Sequence, residues 1–189
     1  SPKEAEAELG EALQKALAMA PDLLEARQRM IALLIERGDR AGALRLARDA
    51  QMRHADRPTG YVLEGDIHVV GNKWPEAVAA YRKAVERDGG GQAAVRLHAA
   101  LLRADRKADA EKMAKDWLEA NPTDLSLRGY LGEVALGDRR YADAMKFFQR
   151  MHEMAPQNAL ILNNLAWAAK EVKDPKALEY AEQALRLAP

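Results

Sequence analysis

The chain has 189 residues, with 29 basic and 29 acidic side chains and no cysteine. Ala, Leu, Glu, Lys and Arg supply 107 of the residues and Val, Ile and Thr only 14, a balance that favours helices and leaves too little material for a sheet of half-buried strands. Disulfides, cysteine nucleophiles and thiolate zinc sites are excluded, and a net charge of zero offers no basic excess for displacing counterions from nucleic acid.

The first predicted helix runs from Lys3 to Ala18, with Leu9, Leu13 and Ala16 on one face ahead of Pro21. That face returns at Ala43-Ala47-Ala50, Ala77-Tyr81-Ala84, Ala110-Ala114-Trp117, Ala144-Phe148-Met151 and Ala177-Ala181-Ala184, at spacings of 34, 34, 33, 34 and 33 residues. Steps of four and three keep such side chains on one side of a helix. Four of the six instances are followed by Pro and one by Gly, which end the helix. The last instance lies on a predicted helix from about Lys176 to Leu187.

A partner helix precedes each of the last five instances. It is clearest at Tyr61-x-x-Glu64-Gly65-x-x-His68, Arg128-x-x-Leu131-Gly132-x-x-Ala135 and Leu162-x-x-Leu165-Ala166-x-x-Ala169. Small residues at Gly65, Gly132 and Ala166 let the paired helix approach closely, whereas Ile31 and His98 stand at the same place in two other units. Turns are predicted at Gly38-Asp39, Gly71-Asn72, Gly137-Asp138 and Asp174-Pro175. The chain thus divides into a leading half-unit, 1–23, and units 24–57, 58–90, 91–124, 125–158 and 159–189, forming one array. The opening at Ser1 and the unpaired leading helix read as a piece cut from a longer protein. The longest apolar run, Met30 to Ile35, is too short to span a membrane.

The pattern resembles the tetratricopeptide repeat, whose unit is a 34-residue helix–turn–helix. Small residues at the second-helix face and the closing Pro are well kept; the Trp that opens the family motif is missing from its place. The resemblance implies an all-α, right-handed superhelical solenoid of antiparallel helix pairs. The run Asn163-Asn164-Leu165-Ala166-Trp167-Ala168-Ala169, continued through Asp174-Pro175 to Pro189, also resembles the C-terminal repeats of bacterial exosortase-linked (PEP-CTERM system) tetratricopeptide lipoproteins. That narrower likeness implies an envelope or periplasmic address beside exopolysaccharide and protein-sorting machinery, with cytoplasmic placement left open.

The array's inner face, built from the first helix of each unit, is the expected binding surface. Its candidate residues are Gln28, Ala32 and Glu36; Val62, Asp66 and Val69; Val95, Ala99 and Arg103; Glu133 and Leu136; and Asn163, Trp167 and Lys170. The expected partner is a protein, bound through peptide segments or helices, and mixed charge along the face indicates neither a strongly acidic nor a strongly basic ligand. A rival reading has Trp167, Asn163 and Tyr61 contacting polysaccharide. A third has the chain self-associating weakly through the apolar stripe Ala177, Leu178, Ala181, Ala184 and Leu185 at its C-terminal end. Chaperone-binding members of the family grip a peptide carboxylate with Lys, Asn and Arg; Asn164 matches one such place, but Gly129 and Glu133 stand at others, so that clamp is broken.

No catalytic, metal or cofactor site is expected, and the chain is read as a scaffold and not an enzyme. The histidines His54, His68, His98 and His152 fall in separate helices or units, and Asp66 is two residues from both Glu64 and His68, off their shared face. Gly89-Gly90-Gly91 follows a helix instead of a strand and lacks a phosphate-loop frame, so it reads as a turn. Arg40, Arg45, Arg48 and Arg53 read as a solvated helix face. Trp74 is expected beside a turn, Trp117 in the core.

Overall fold

The computed structural model describes residues 2–187, with side chains from residue 4. Among the described residues it holds eleven helices and no strand: α1 (Pro2–Met19), α2 (Leu24–Glu36), α3 (Arg40–Arg53), α4 (Thr59–Val70), α5 (Trp74–Glu86), α6 (Gly90–Arg103), α7 (Lys107–Ala120), α8 (Leu125–Gly137), α9 (Tyr141–Met154), α10 (Ala159–Glu171) and α11 (Ala177–Leu187). No described helix is long and apolar enough to cross a membrane. The chain forms two compact units, Ser1–Glu111 and Lys112–Pro189, whose division falls inside α7.

Within each unit, consecutive helices pack in pairs, and small residues set how closely they approach. A Cβ placed on Gly65 of α4 would lie 2.3 Å from Cε1 of Tyr81 on α5, and one on Gly132 of α8 would lie 2.7 Å from Cζ of Phe148 on α9. These glycines are therefore the sockets for the aromatic rings opposite. In the α2–α3 pair the sizes are exchanged: Ile31 occupies the corresponding place and packs with Ala43 and Ala47. The bulky residue at position 31 is thus compensated across the helix pair, which keeps the interface filled. Ala77 and Ala144 are wholly buried, as the spacing pattern requires.

The turns between paired helices share one construction. The N–H groups of Asp39, Lys73, Arg106, Arg140 and Asp174 donate to carbonyls five residues earlier, at Leu34, His68, Leu101, Ala135 and Ala169, at 2.8–2.9 Å. This closure places one residue per turn in the left-handed region: Gly38, Asn72, Asp105, Arg139 and Lys173. Gly71 and Gly137, the turn glycines expected from sequence, are not among those positions. Side-chain caps start several helices: Asp39 accepts from the Gly42 N–H, Asp124 from that of Ser126, and Asn158 from those of Leu160 and Ile161.

One charge lies inside unit 1. Arg27 is only 4% exposed, and it donates to the carbonyls of Pro21 and Leu46, both at 2.6 Å, and to Asp49 at 2.9 Å. Burial raises the Asp49 pKa, but hydrogen bonds from Arg53 and Arg27 outweigh it and hold the carboxyl below its ordinary value. Arg40, Arg45, Arg48 and Arg53 are exposed, as expected of a wetted face.

Candidate functional site

In unit 1 the candidate residues lie on the first helices α2, α4 and α6. Gln28, Ala32 and Glu36 are exposed along α2, and Val62, Asp66 and Val69 are half-buried along α4. Val95 and Ala99 are half-buried on α6, whose last turn presents an exposed Arg103. The valines and Ala99 give an apolar strip with polar ends.

Asp66 is already committed within this strip. It accepts a hydrogen bond from the Tyr81 hydroxyl at 2.6 Å and faces the Arg96 guanidinium at 3.3 Å. Burial and the Asp66 acceptor both push the Tyr81 pKa up, so the phenol remains a donor at neutral pH. Arg103 is partly engaged as well, its guanidinium lying 5.2 Å from the centre of the Trp74 ring at the start of α5.

In unit 2 the exposed residues are Glu133 on α8 and Asn163, Trp167 and Lys170 on α10. Trp167 is 50% exposed, and Leu160, one turn before Asn163, is 66% exposed and lengthens the apolar part of that face. Burial of Leu165 and Ala166 satisfies the repeat's own packing and leaves Trp167 outside it. Leu136 does not join this set. It is 7% exposed and belongs to a cluster with Ala144, Phe148 and Ile161, because the last turn of α8 points into the pair interface.

Other sequence expectations meet mixed outcomes. Tyr61, the third sugar-contact candidate, is buried, with the Arg87 guanidinium 4.1 Å from its ring centre. Trp117 is half-buried, not fully in the core, because its indole N–H donates to Asp124. Glu64 accepts from Gln51 at 2.7 Å, Asp66 is held by Tyr81, and no described group of three potential ligands could hold a metal ion. His98 is buried in α6, and burial pushes its pKa down, opposed in part by Glu111. On α11, Leu178 and Leu185 are exposed.

The buried Arg27 is the functional-looking residue that sequence reading missed. Its signals were a preceding Pro21 and an acidic residue on the next helix, and both recur too widely in helical repeats to stand out.

No protein-family model matches the chain, and no curated protein matches it in sequence. Solved structures do resemble it. YrrB, a tetratricopeptide-repeat protein described as having an unusual peptide-binding site, superposes at a TM-score of 0.54 with 21% identity over 95% of this chain and 94% of its own. MamA from Desulfovibrio magneticus RS-1 gives 0.56 with 19% identity, over 88% of this chain and 95% of its own. PilF of Pseudomonas aeruginosa gives 0.57 with 19% identity, over 100% of this chain and 86% of its own. The fold is accordingly all-α and of the tetratricopeptide-repeat solenoid type, built from antiparallel helix pairs.

Proposed function

We propose that this chain is a scaffold for protein–protein interaction that takes peptide segments or helices of its partners on the faces of its first helices. Trp167 carries the reading. It is a large aromatic side chain, half exposed, on a helix whose packing positions are already filled, with Asn163 and Lys170 exposed beside it. Exposed Trp residues with polar neighbours are the side chains that most often dominate interfaces. The peptide-binding site named for YrrB is in keeping with such a role. Gln28, Glu36, Val62, Asp66 and Arg103 in unit 1 form a second, separate contact set, with Asp66 acting through its Tyr81–Arg96 network; Glu133 joins the unit 2 set.

The test is selection of peptides from a random library on the whole chain, followed by affinity measurement. Trp167→Ala should weaken the selected peptides by about 2 kcal/mol, the usual scale of an interface hot spot, while leaving the melting temperature unchanged. Equal affinity for parent and variant sinks the assignment.

Placement in a bacterial envelope assembly tied to exopolysaccharide or protein sorting is the narrower form of the proposal. It rests on the Asn163–Ala169 run and its continuation to Pro189. Polysaccharide binding without a protein partner would favour the carbohydrate reading instead, now limited to Trp167 and Asn163. Weak self-association through α11 is a second reading, carried by Leu178 and Leu185, which are 70% and 68% exposed. Sedimentation equilibrium over a range of concentrations tests it, and a single monomer mass throughout rejects it.

A further inference from the structure

The repeat allows one local structure to be compared with itself. Pro21, Arg27 and Asp49 in unit 1 correspond to Pro122, Arg128 and Arg150 in unit 2, each 101 residues later, which is three repeats. In the first setting the arginine is held by two carbonyls and by the carboxylate of Asp49. In the second, Arg128 keeps the bond to the proline carbonyl, from Nη2 to Pro122 O at 3.1 Å. Where the carboxylate stood there is now another arginine.

The remaining groups do not replace what is lost. The Nε of Arg128 is buried and has no hydrogen-bond partner. Asp124 lies close enough to attract Arg128, but its two oxygens accept from the Ser126 N–H and the Trp117 indole. Glu153 is turned to Arg150, at 2.6 Å from its Nη1. Arg128 is thus half-buried on α8 with donors unspent, while Arg150 on α9 is exposed, with one nitrogen given to Glu153, and lies near enough to repel Arg128.

We propose that this arginine pair is a binding site for an external oxyanion, a carboxylate or a phosphoryl group, seated between Arg128 and Arg150 where Asp49 sits in the earlier repeat. Planar guanidinium donors match either anion in a forked geometry, and partial burial strengthens such bonds. Desolvation, followed by repulsion from Arg150, lowers the Arg128 pKa, which is the response expected of a cation whose counter-ion is missing. The site uses no residue of the Trp167 face.

The test follows the Nε–Hε signal of Arg128 by NMR while the whole chain is titrated with sodium acetate or with inorganic phosphate, ionic strength being held constant with sodium chloride. Arg128 should shift saturably with at least one of these anions, and Arg27, with its own carboxylate, should not. Whichever anion saturates at the lower concentration identifies the source. Arg150→Asp supplies the carboxylate within the chain and should abolish the titration while raising the melting temperature. Arg150→Gln removes one donor set and should weaken binding by about tenfold or more, the equivalent of a charged hydrogen bond, even if Arg150→Asp does not fold. No saturable shift of Arg128 with either anion overturns the proposal. So does an Arg150→Asp or Arg150→Gln variant that titrates like the parent.

Discussion

Gly65→Ala offers a stringent test of how the helix pairs are closed. The added methyl would fall 2.3 Å from Cε1 and 2.5 Å from Cδ1 of Tyr81. The ring cannot step aside freely, because it is buried and its hydroxyl is tied to Asp66 at 2.6 Å. Overpacking of this kind typically costs about 1–3 kcal/mol, and loss of the bond to a charged acceptor about 1.5–3 kcal/mol if the ring moves far. Alanine returns about 1 kcal/mol through its better helix propensity. The net expectation is a loss of up to about 2 kcal/mol if the ring keeps its bond to Asp66 and a larger one if it does not, measured as a lower urea midpoint by far-UV circular dichroism. Repeating the substitution in a Tyr81→Ala background removes the clash, so the cost there should vanish or turn into a gain. Gly137→Ala is the control, since nothing lies within 4 Å of a Cβ at that position. Equal costs of Gly65→Ala in both backgrounds would refute the socket argument.

Two further outcomes follow from the structure. His98 has a folded pKa depressed by burial, so the unfolded chain binds its proton more readily; stability should be full above the unfolded value of about 6.5 and fall as pH drops through it. Urea midpoints measured from pH 7 down to pH 5 check this, and a His98→Leu variant should show a shallower decline. Arg139 is held at φ 58°, where a side chain is disfavoured by about 1–2 kcal/mol; Arg139→Gly should therefore raise the thermal midpoint by the equivalent of up to about 1 kcal/mol, and a lowered midpoint would mean that the Arg139 side chain stabilises the turn.

The repeat was legible because two kinds of signal agreed. The 33–34 residue spacing marked which residues recur, and the small residues at Ala77, Ala144, Gly65 and Gly132 marked where helices meet. Ile31 was harder to place, since its fit depends on Ala43 and Ala47 of the next helix. The left-handed turn positions at Arg139 and Lys173 carry no sequence mark, because a backbone hydrogen bond five residues back imposes the conformation whatever the side chain. For the candidate site, spacing put Asn163, Trp167 and Lys170 on the first helix of the last unit, where all three are exposed. It misjudged Leu136, one step round α8 from the wet side, and could not show that Asp66 is shared by Tyr81 and Arg96. The Arg27–Asp49 pair and its altered copy at Arg128 and Arg150 emerge only when side-chain burial is known.

The central claim, that partners bind at the α10 face, is most directly tested through the three tryptophan indole N–H signals in the NMR spectrum. They come from Trp74, beneath Arg103; from Trp117, bonded to Asp124; and from Trp167, half exposed. On addition of a library-selected peptide, the Trp167 signal should shift most and saturate with the binding curve. A saturating shift at Trp74 or Trp117 with Trp167 unmoved would contradict the account.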